Sequence, residues 1–232
     1  MEEILSAGFA ELGITAGEGA AAQLRRYYEF LTEKNAVMNL TAITGEENTA
    51  RLHYLDCCAL LAAADFKGRR VVDVGSGAGF PGLPLKLAEP SLELTMLDSL
   101  EKRVAFLRET CERLGIDAEC VACRAEEAPG AMREAYDIAV SRAVSRLCQL
   151  CELCMPFVKV GGLFIAMKGP DCGEELKEAG RAIAALGGEY AGTFTYAIPG
   201  AGVSHSAVIV RKTSPTPEKY PRRWAKILKQ PL

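Results

Sequence analysis

One stretch of the sequence, residues 71–82, constrains the fold more than any other. It reads Val71-Val72-Asp73-Val74-Gly75-Ser76-Gly77-Ala78-Gly79-Phe80-Pro81-Gly82. Its β-branched, apolar start is typical of a strand that is buried on both faces. The alternating glycines allow positive φ and let a ligand approach the backbone, while Pro81 suits the first turn of a helix. A strand, a glycine turn and a helix start together predict a site for a nucleotide-like ligand.

The glycines of this turn admit more than one ligand. Gly77, Gly79 and Gly82 fit the dinucleotide fingerprint G-x-G-x-x-G. Asp73, two residues before Gly75, and the alternating glycines instead resemble motif I of the Rossmann-like S-adenosylmethionine (SAM) methyltransferases. SAM has no pyrophosphate, so the turn would embrace a methionine moiety and a ribose. A structural turn without a ligand is the third interpretation.

Acidic residues follow the next two predicted strands. Asp98 closes the stretch 93–98, where it is placed to accept hydrogen bonds from ribose hydroxyls. Ala125 and Glu126 come two residues after the third strand and could hold the adenine amino group through side chain or backbone. Glu126 could equally be the acidic start of the next helix, which the helix dipole favours.

From Arg70 onward, strands and helices alternate. Strands are predicted at 70–74, 93–98, 118–123, 136–141, 162–168, 189–197 and 206–212, and helices at 82–89, 100–114, 125–134, 145–159 and 172–187. Short βα repeats predict right-handed crossovers and a mostly parallel sheet. The last two strands are expected to form a hairpin, so the seventh strand should run antiparallel to the others.

The rest of the chain predicts two additions to this α/β domain. Residues 1–68 have helical periodicity, with Leu24, Tyr27, Tyr28 and Leu31 at three- and four-residue spacing. The predicted division is therefore a helical extension at 1–68, a ligand-binding domain at 69–213 and a basic tail at 214–232.

Composition narrows the cellular setting and the classes of partner. A net charge of −3 gives no global attraction to nucleic acid, so any such binding must come from local basic patches. The N-terminus lacks a basic segment followed by an apolar one, and no apolar run approaches the roughly 18 residues of a membrane span. We therefore expect a cytoplasmic protein with no membrane partner. A monomer is expected as well, although no feature of the sequence determines the oligomeric state.

The nine cysteines do not predict disulfides or a metal site. In a cytoplasmic protein they should be reduced thiols. Cys148, Cys151 and Cys154 share one broad helix face, where burial as small apolar side chains explains them better than an iron–sulfur cluster. Neither His53 nor His205 lies in a metal-ligand spacing, so we expect no metal.

The C-terminal segment is basic where the whole protein is not. Between positions 211 and 232, seven Lys and Arg side chains face a single acid, Glu218. A solvated run of charge is the usual interpretation. Phosphate contact through Arg222 and Arg223, with Tyr220 and Trp224 offering aromatic faces to a base, is the interpretation we favour.

Three further side chains are candidates for contacts with a second ligand beside the one held by the glycine turn. Arg142 ends the fourth strand, where ligands of parallel sheets bind, although a structural salt bridge is an equal alternative. Lys168 ends the fifth strand in the same layer, or simply reaches solvent. A lone histidine such as His53 is more often a packed or surface residue than a catalytic one.

Motifs along nearly the whole chain resemble one family. They are Asn39-Leu-Thr-Ala-Ile43, His53 to Asp56, Asp73-Val-Gly-Ser-Gly-Ala-Gly-Phe-Pro-Gly-Leu-Pro84, Leu97-Asp-Ser99, Arg124-Ala-Glu126, Ser141-Arg-Ala143, Ala166-Met-Lys-Gly169 and Tyr220-Pro-Arg-Arg223. In combination they are similar to the 16S ribosomal RNA guanine-N7 methyltransferases, the glucose-inhibited division protein B family. One departure is Trp224-Ala-Lys-Ile227, where family tails usually carry a Gly and a Pro.

The resemblance implies a Rossmann-like class I methyltransferase that transfers the methyl group of SAM to guanine 527 of 16S rRNA in the small ribosomal subunit. It implies SAM binding by Gly75, Phe80, Ala125, Glu126 and Arg142, to which the motif adds Gly77, Gly79 and Asp98. Arg142 would be the catalytic residue, and Lys168, Arg222, Arg223 and His53 the RNA contacts. An NAD-dependent oxidoreductase and a non-catalytic RNA-binding protein are the competing classes.

Overall fold

The computed structural model of the protein describes residues 1–142 and 145–232. Seven strands form one sheet, and their bounds are β1 Arg70–Val74, β2 Glu93–Asp98, β3 Ala118–Ala122, β4 Tyr136–Arg142, β5 Val158–Lys168, β6 Gly188–Ala197 and β7 Ser204–Lys212. They lie in the order β3-β2-β1-β4-β5-β7-β6. The first five strands in this spatial order, β3-β2-β1-β4-β5, pair in parallel, and β7 is antiparallel to both β5 and β6. The predicted mostly parallel sheet with an antiparallel last strand is confirmed.

The centre of the sheet is β1, which pairs with β2 on one side and β4 on the other. Val71 and Val72 are fully buried because helices cover both faces of the sheet. The carboxyl ends of β1, β2 and β4 meet at one edge, since the three strands are parallel. This topology brings the glycine turn, Asp98 and Arg142 to the same edge of the sheet.

Ten α-helices and one π-helix are present in the described residues. Their bounds are α1 Glu2–Glu11, α2 Ala20–Met38, α3 Glu46–Thr49, the π-helix Ala50–Leu55, α4 Asp56–Cys58, α5 Leu60–Ala63, α6 Gly82–Ala88, α7 Glu101–Leu114, α8 Leu147–Cys154, α9 Gly173–Ala185 and α10 Trp224–Lys229. No helix in these two ranges is long and apolar enough to span a membrane.

Two predicted helices are wrong in extent. The segment predicted as a helix at 125–134 contains only two short 3₁₀ turns, Ala125–Glu127 and Gly130–Met132. Pro129 separates the turns, and it has no N–H to continue a helix. The helix predicted at 145–159 ends at Cys154, and a 3₁₀ turn containing Pro156 leads into β5, which starts four residues earlier than predicted.

The N-terminal helices share their core with the sheet. Leu24 and Phe30 belong to the same buried cluster as Val71, Ile138 and Ile165. The hydroxyl of Tyr27, fully buried on α2, donates a hydrogen bond to the carbonyl oxygen of Ala78 in the glycine turn. The helical N-terminus therefore helps to shape the turn, while the division at residue 68 stays a prediction.

The other face of the sheet is covered by α8, α9 and the tail. Cys148, Cys151 and Cys154 are buried in this second core cluster as apolar side chains. In the tail, Trp224–Lys229 form a short helix and Ile227 is fully buried. The tail is therefore a packed part of the protein.

Candidate cofactor and acceptor site

A cavity of about 500 Å³ opens at the edge of the sheet where β1, β2 and β4 end. This volume is within the range of small-molecule sites. Among the predicted cofactor residues, those that line it are Gly75, Gly77, Phe80, Asp98, Ala125, Glu126 and Arg142. Further lining residues that the sequence analysis did not single out for this site include Thr41, Arg103, Leu153 and Trp224.

Asp98 links the end of β2 to the glycine turn. Its Oδ2 accepts a hydrogen bond from the Gly77 N–H at 2.9 Å, and its Oδ1 accepts one from the Leu100 N–H at 2.9 Å. Arg103 lies 3.6 Å from Oδ2. A carboxylate can accept about four hydrogen bonds, so Asp98 retains acceptor capacity on its cavity side.

The two glycines at 77 and 79 differ in what surrounds them. Both have positive φ, at 58° and 97°. A Cβ on Gly77 would come no closer than 4.0 Å to any neighbour outside adjacent residues, and Gly77 lines the cavity. A Cβ on Gly79 would lie 2.4 Å from the Leu83 side chain and 3.0 Å from the Tyr27 hydroxyl. Gly79 therefore has a packing role, and in the described chain it does not line the cavity.

Asp73, the acid of the glycine motif, is buried beneath the turn. Its Oδ2 accepts a hydrogen bond from the Gly82 N–H at 2.9 Å, at the start of α6. Within the described residues its Oδ1 has no partner. Burial raises the pKa of Asp73 to about 7, against the hydrogen bond from Gly82. The structural role of this acid is to hold the strand end of β1 to the start of α6.

His53 and Arg142 form one end of the cavity together with Phe80. The His53 ring stacks on Phe80 with centroids 4.2 Å apart, and the guanidinium of Arg142 lies 4.7 Å from the same ring. Nη2 of Arg142 lies 2.7 Å from Nδ1 of His53. Arginine can only donate, so Nδ1 accepts, and the ring proton is on Nε2.

The protonation of His53 follows from these contacts. Burial, and then the positive charge of Arg142, lower the pKa of His53 to about 3. The neutral ring donates from Nε2 to the Thr41 hydroxyl at 2.8 Å, and that oxygen also accepts from the Ile43 N–H. Neither contact uses the hydroxyl hydrogen of Thr41, which lines the cavity. Thr41 is itself fixed by two hydrogen bonds between its backbone and the Asn35 amide.

Arg142 is also tied to a buried acid that sequence reasoning missed. Its Nη1 lies 3.2 Å from Asp56 Oδ2 and donates to the Leu52 carbonyl at 3.3 Å. Asp56 Oδ1 accepts from the Tyr196 hydroxyl at 2.8 Å and lies 2.9 Å from His205 Nδ1. The two interpretations of Arg142 thus coexist, since it makes a salt bridge and lines the cavity. Asp56 and His205 are 149 positions apart, and no local pattern joins them.

The opposite end of the cavity lies toward β3. Ala125 and Glu126 line it on the 3₁₀ turn that follows β3, and Leu153 of α8 and Trp224 of the tail line the same cavity. Glu126 is largely buried, and its only ion pair in the described chain is a 4.0 Å approach to Arg124. Its carboxylate is therefore available to a ligand in the cavity.

The predicted RNA-binding residues are spread over the molecule. His53 lines the cavity. Lys168 does not reach solvent freely, because its Nζ contacts Glu175 at 2.7 Å and donates to the Ser145 carbonyl at 2.8 Å. Arg222 is bound to the buried Glu152, whereas Arg223 is exposed.

Three further predictions concern an aromatic face for RNA, the Ser-Arg-Ala motif and metal binding. Tyr220 is buried, so its ring is not available to a base as predicted. Ala143, part of the Ser-Arg-Ala motif, lies outside the described residues. Within residues 1–142 and 145–232, no three His, Cys, Asp or Glu side chains form a group that could hold a metal ion.

Comparison with known proteins decides which class of site this is. The family model described as "rRNA small subunit methyltransferase G", GidB, matches residues 20–196. The ribosomal RNA small subunit methyltransferase G of Alkaliphilus oremlandii is 44% identical over 237 residues, covering 100% of this chain and 99% of the relative. The chain belongs to the rRNA small subunit methyltransferase G family. Membership of this family decides between the two cofactors that the glycine turn admitted, in favour of SAM.

Solved structures of other proteins share the fold of this member of the methyltransferase G family. A Thermus thermophilus branched-chain polyamine synthase is 13% identical with a TM-score of 0.63, covering 85% of this chain and 65% of that one. A structure from Agrobacterium tumefaciens described as a predicted O-methyltransferase is 18% identical with a TM-score of 0.52, covering 65% and 77%. The predicted Rossmann-like class I methyltransferase fold is therefore confirmed.

Proposed function

We propose that this chain transfers the methyl group of SAM to N7 of guanine 527 in the 16S rRNA of the small ribosomal subunit, as a cytoplasmic monomer. The observation that carries the proposal is a single cavity, in a member of this family, lined by the glycine turn, Asp98 and Arg142. The A. oremlandii relative is named for methylation of small-subunit ribosomal RNA, which supports the substrate.

The order of the strands supports the seating of SAM across the sheet edge. The methionine moiety would lie against Gly75 and Gly77, which both line the cavity, and the missing side chain of Gly77 leaves open space there. The ribose hydroxyls would donate to the remaining acceptor sites of Asp98. The adenine would lie toward β3, with its amino group donating to the Glu126 carboxylate. The residues present therefore fit the cofactor.

The proposed chemistry needs alignment more than proton transfer. Bound SAM supplies a methyl group that its sulfonium has already activated. Guanine N7 has an exposed lone pair and loses no proton when attacked, so no general base is required. The residues of the cavity need only align the two reactants and exclude water. The neutral His53, with both ring nitrogens already in hydrogen bonds, agrees with a positioning role.

We assign orientation of the guanine to the His53, Phe80 and Arg142 end of the cavity. The rings of His53 and Phe80 are buried and contact the guanidinium of Arg142, so their role is to hold Arg142 in place. Arg142 can donate to a base edge or to a phosphate beside it. The unused hydroxyl hydrogen of Thr41 is a second donor at the same end.

The other predicted RNA-binding residues differ in how strongly their side chains are already bound by acidic residues of the protein. Arg223 is exposed and is the first choice for a phosphate contact. Lys168 would have to share its ammonium with Glu175. Arg222 has two donors committed to Glu152, so we assign it first to anchoring the tail and only second to RNA.

Transfer of labelled methyl from SAM tests the proposal. Purified protein is incubated with 16S rRNA and with assembled small subunits lacking the modification, and the modified nucleotide is mapped. Label at N7 of guanine 527 is the expected result. RNA binding without methyl incorporation would contradict the proposal and favour the assembly-protein class. Stabilisation of the fold by NAD but not by SAM or S-adenosylhomocysteine (SAH) would also contradict it.

A further inference from the structure

The tail is attached to the rest of the protein at several points. Tyr220 and Ile227 are buried in the second core cluster. The guanidinium of Arg133 donates to the carbonyl oxygens of Thr216 at 2.6 Å and Tyr220 at 2.8 Å. These contacts hold the path of the backbone from residue 216 to residue 227, so the tail is not a free arm.

The strongest attachment is the ion pair of Arg222 with Glu152. Glu152 lies on α8, and its side chain is fully buried. Its carboxylate accepts from Arg222 Nε at 2.7 Å, from Nη2 at 2.6 Å and from the Arg222 backbone N–H at 2.8 Å. A buried carboxylate needs such partners, since leaving it unpaired is strongly destabilising. The position of Arg222 is therefore fixed.

The same two segments that form this ion pair also line the cofactor cavity. Leu153, next to Glu152 on α8, lines the cavity, and so does Trp224, two residues after Arg222. Trp224 is half-buried, and it packs at the edge of the second core cluster. Trp224 shares the lining of the cavity with Ala125 and Glu126. Pro221 of the tail lines a second, smaller cavity with the same two residues, and α8 contacts both that turn and α10.

We propose that Trp224 forms a wall of the adenine end of the cavity, held there by the Arg222–Glu152 ion pair, and contributes to cofactor affinity. The inference rests on the proposed SAM site and adds a specificity residue from the tail. An indole offers a large, flat, polarisable surface, and bases bind such surfaces by stacking. A cofactor without a purine would not make this contact.

The chain supplies its own probe, because Trp224 is its only tryptophan. Titration of the wild-type protein with SAH should quench the tryptophan emission and protect it from acrylamide, with the same Kd that calorimetry gives. In calorimetry Trp224→Ala should raise the Kd for SAH by about 5- to 100-fold. Trp224→Phe retains an aromatic face and should raise it by less than about 5-fold. Because Phe also fills most of the space of the indole, this variant tests the aromatic contact even if Trp224→Ala does not fold.

Leu228→Ala is the matched control, because Leu228 lies on the same helix and is 51% exposed. It should leave both the emission change and the Kd as in the wild type. A Kd for Trp224→Ala within about twofold of the wild type would overturn the inference while leaving the SAM site intact. An equal weakening by Leu228→Ala would also overturn it. Absence of SAH binding to the wild-type protein would instead refute the proposed function itself.

Discussion

The carboxylate of Asp98 accepts a hydrogen bond from the backbone N–H of Gly77 at 2.9 Å, so the acid that ends β2 also fixes the turn after β1. Two halves of the cofactor site are thereby one unit. The side chain proposed for the ribose and the glycine proposed for the methionine moiety cannot move independently. Substitution of either residue should therefore change the position of the other.

Asp98→Ala should weaken SAM and SAH binding by about 10- to 100-fold, because it removes a charged acceptor and releases the glycine turn. Calorimetry of the variant measures the loss. Glu101→Ala is the control, since Glu101 is an exposed acid three residues away that pairs with Arg108. Unchanged affinity of Asp98→Ala would remove Asp98 from the ribose site.

The two glycines of the turn should respond differently to alanine. Gly79→Ala should lower the free energy of unfolding by about 2–5 kcal/mol, since a Cβ would collide with Leu83 in a left-handed backbone. Gly77→Ala should cost only about 1–2 kcal/mol in stability but should weaken SAH binding, since its methyl group would enter open space beside the cavity. Denaturant unfolding and calorimetry separate the two effects. Equal stability losses would contradict the packing role given to Gly79.

Arg142→Ala should leave SAM affinity largely unchanged but lose most of the methyl transfer to RNA. The guanidinium lies with His53 and Phe80 at the end of the cavity assigned to the guanine. Binding is measured by calorimetry and transfer by label incorporation into small subunits. The melting temperature of the variant must be followed, since Asp56 loses a cationic partner. Normal turnover would exclude the catalytic role of Arg142.

The stability of the protein should depend on pH through His53. Its folded pKa of about 3 lies below the unfolded value near 6.5, so the unfolded state binds more protons between these values. The neutral His53 therefore contributes fully to the free energy of unfolding above pH 6.5. This contribution, about 2–4 kcal/mol, is lost as the pH falls toward 3. His53→Gln should flatten this slope relative to the wild type in urea unfolding. Parallel slopes would show that His53 titrates normally.

Arg222 and Arg223 should differ although they are neighbours. Arg222→Ala leaves the buried Glu152 unpaired and should cost about 3–5 kcal/mol in stability. Arg223→Ala should not change stability but should weaken RNA binding and reduce its salt dependence by about one ion. Urea unfolding and binding titrations at several salt concentrations provide the measurements. The opposite assignment of the two effects would refute the anchoring role of Arg222.

The sequence predicted most accurately what depends on local pattern. The alternation of strand and helix patterns located every strand of the sheet. Gly75, Gly77 and Asp98 line the cavity, whereas Gly79 of the same turn packs against Leu83. The sequence prediction failed where Pro129 and Pro156 limited helices that the apolar pattern had continued. Contacts between distant segments were invisible to it. No local spacing could show that Asp56 contacts His205, or that Arg222 uses its charge on Glu152 instead of on phosphate.

The residues that line the cavity come from Leu40 to Trp224 in the sequence. During synthesis from the N-terminus, the glycine turn is made long before the last wall of the site exists. A nascent chain that still lacks its final residues has the sheet, but it has neither Trp224 nor the arginine that neutralises Glu152. Full cofactor affinity should therefore appear only after residues 222–224 have been synthesised and have packed against α8.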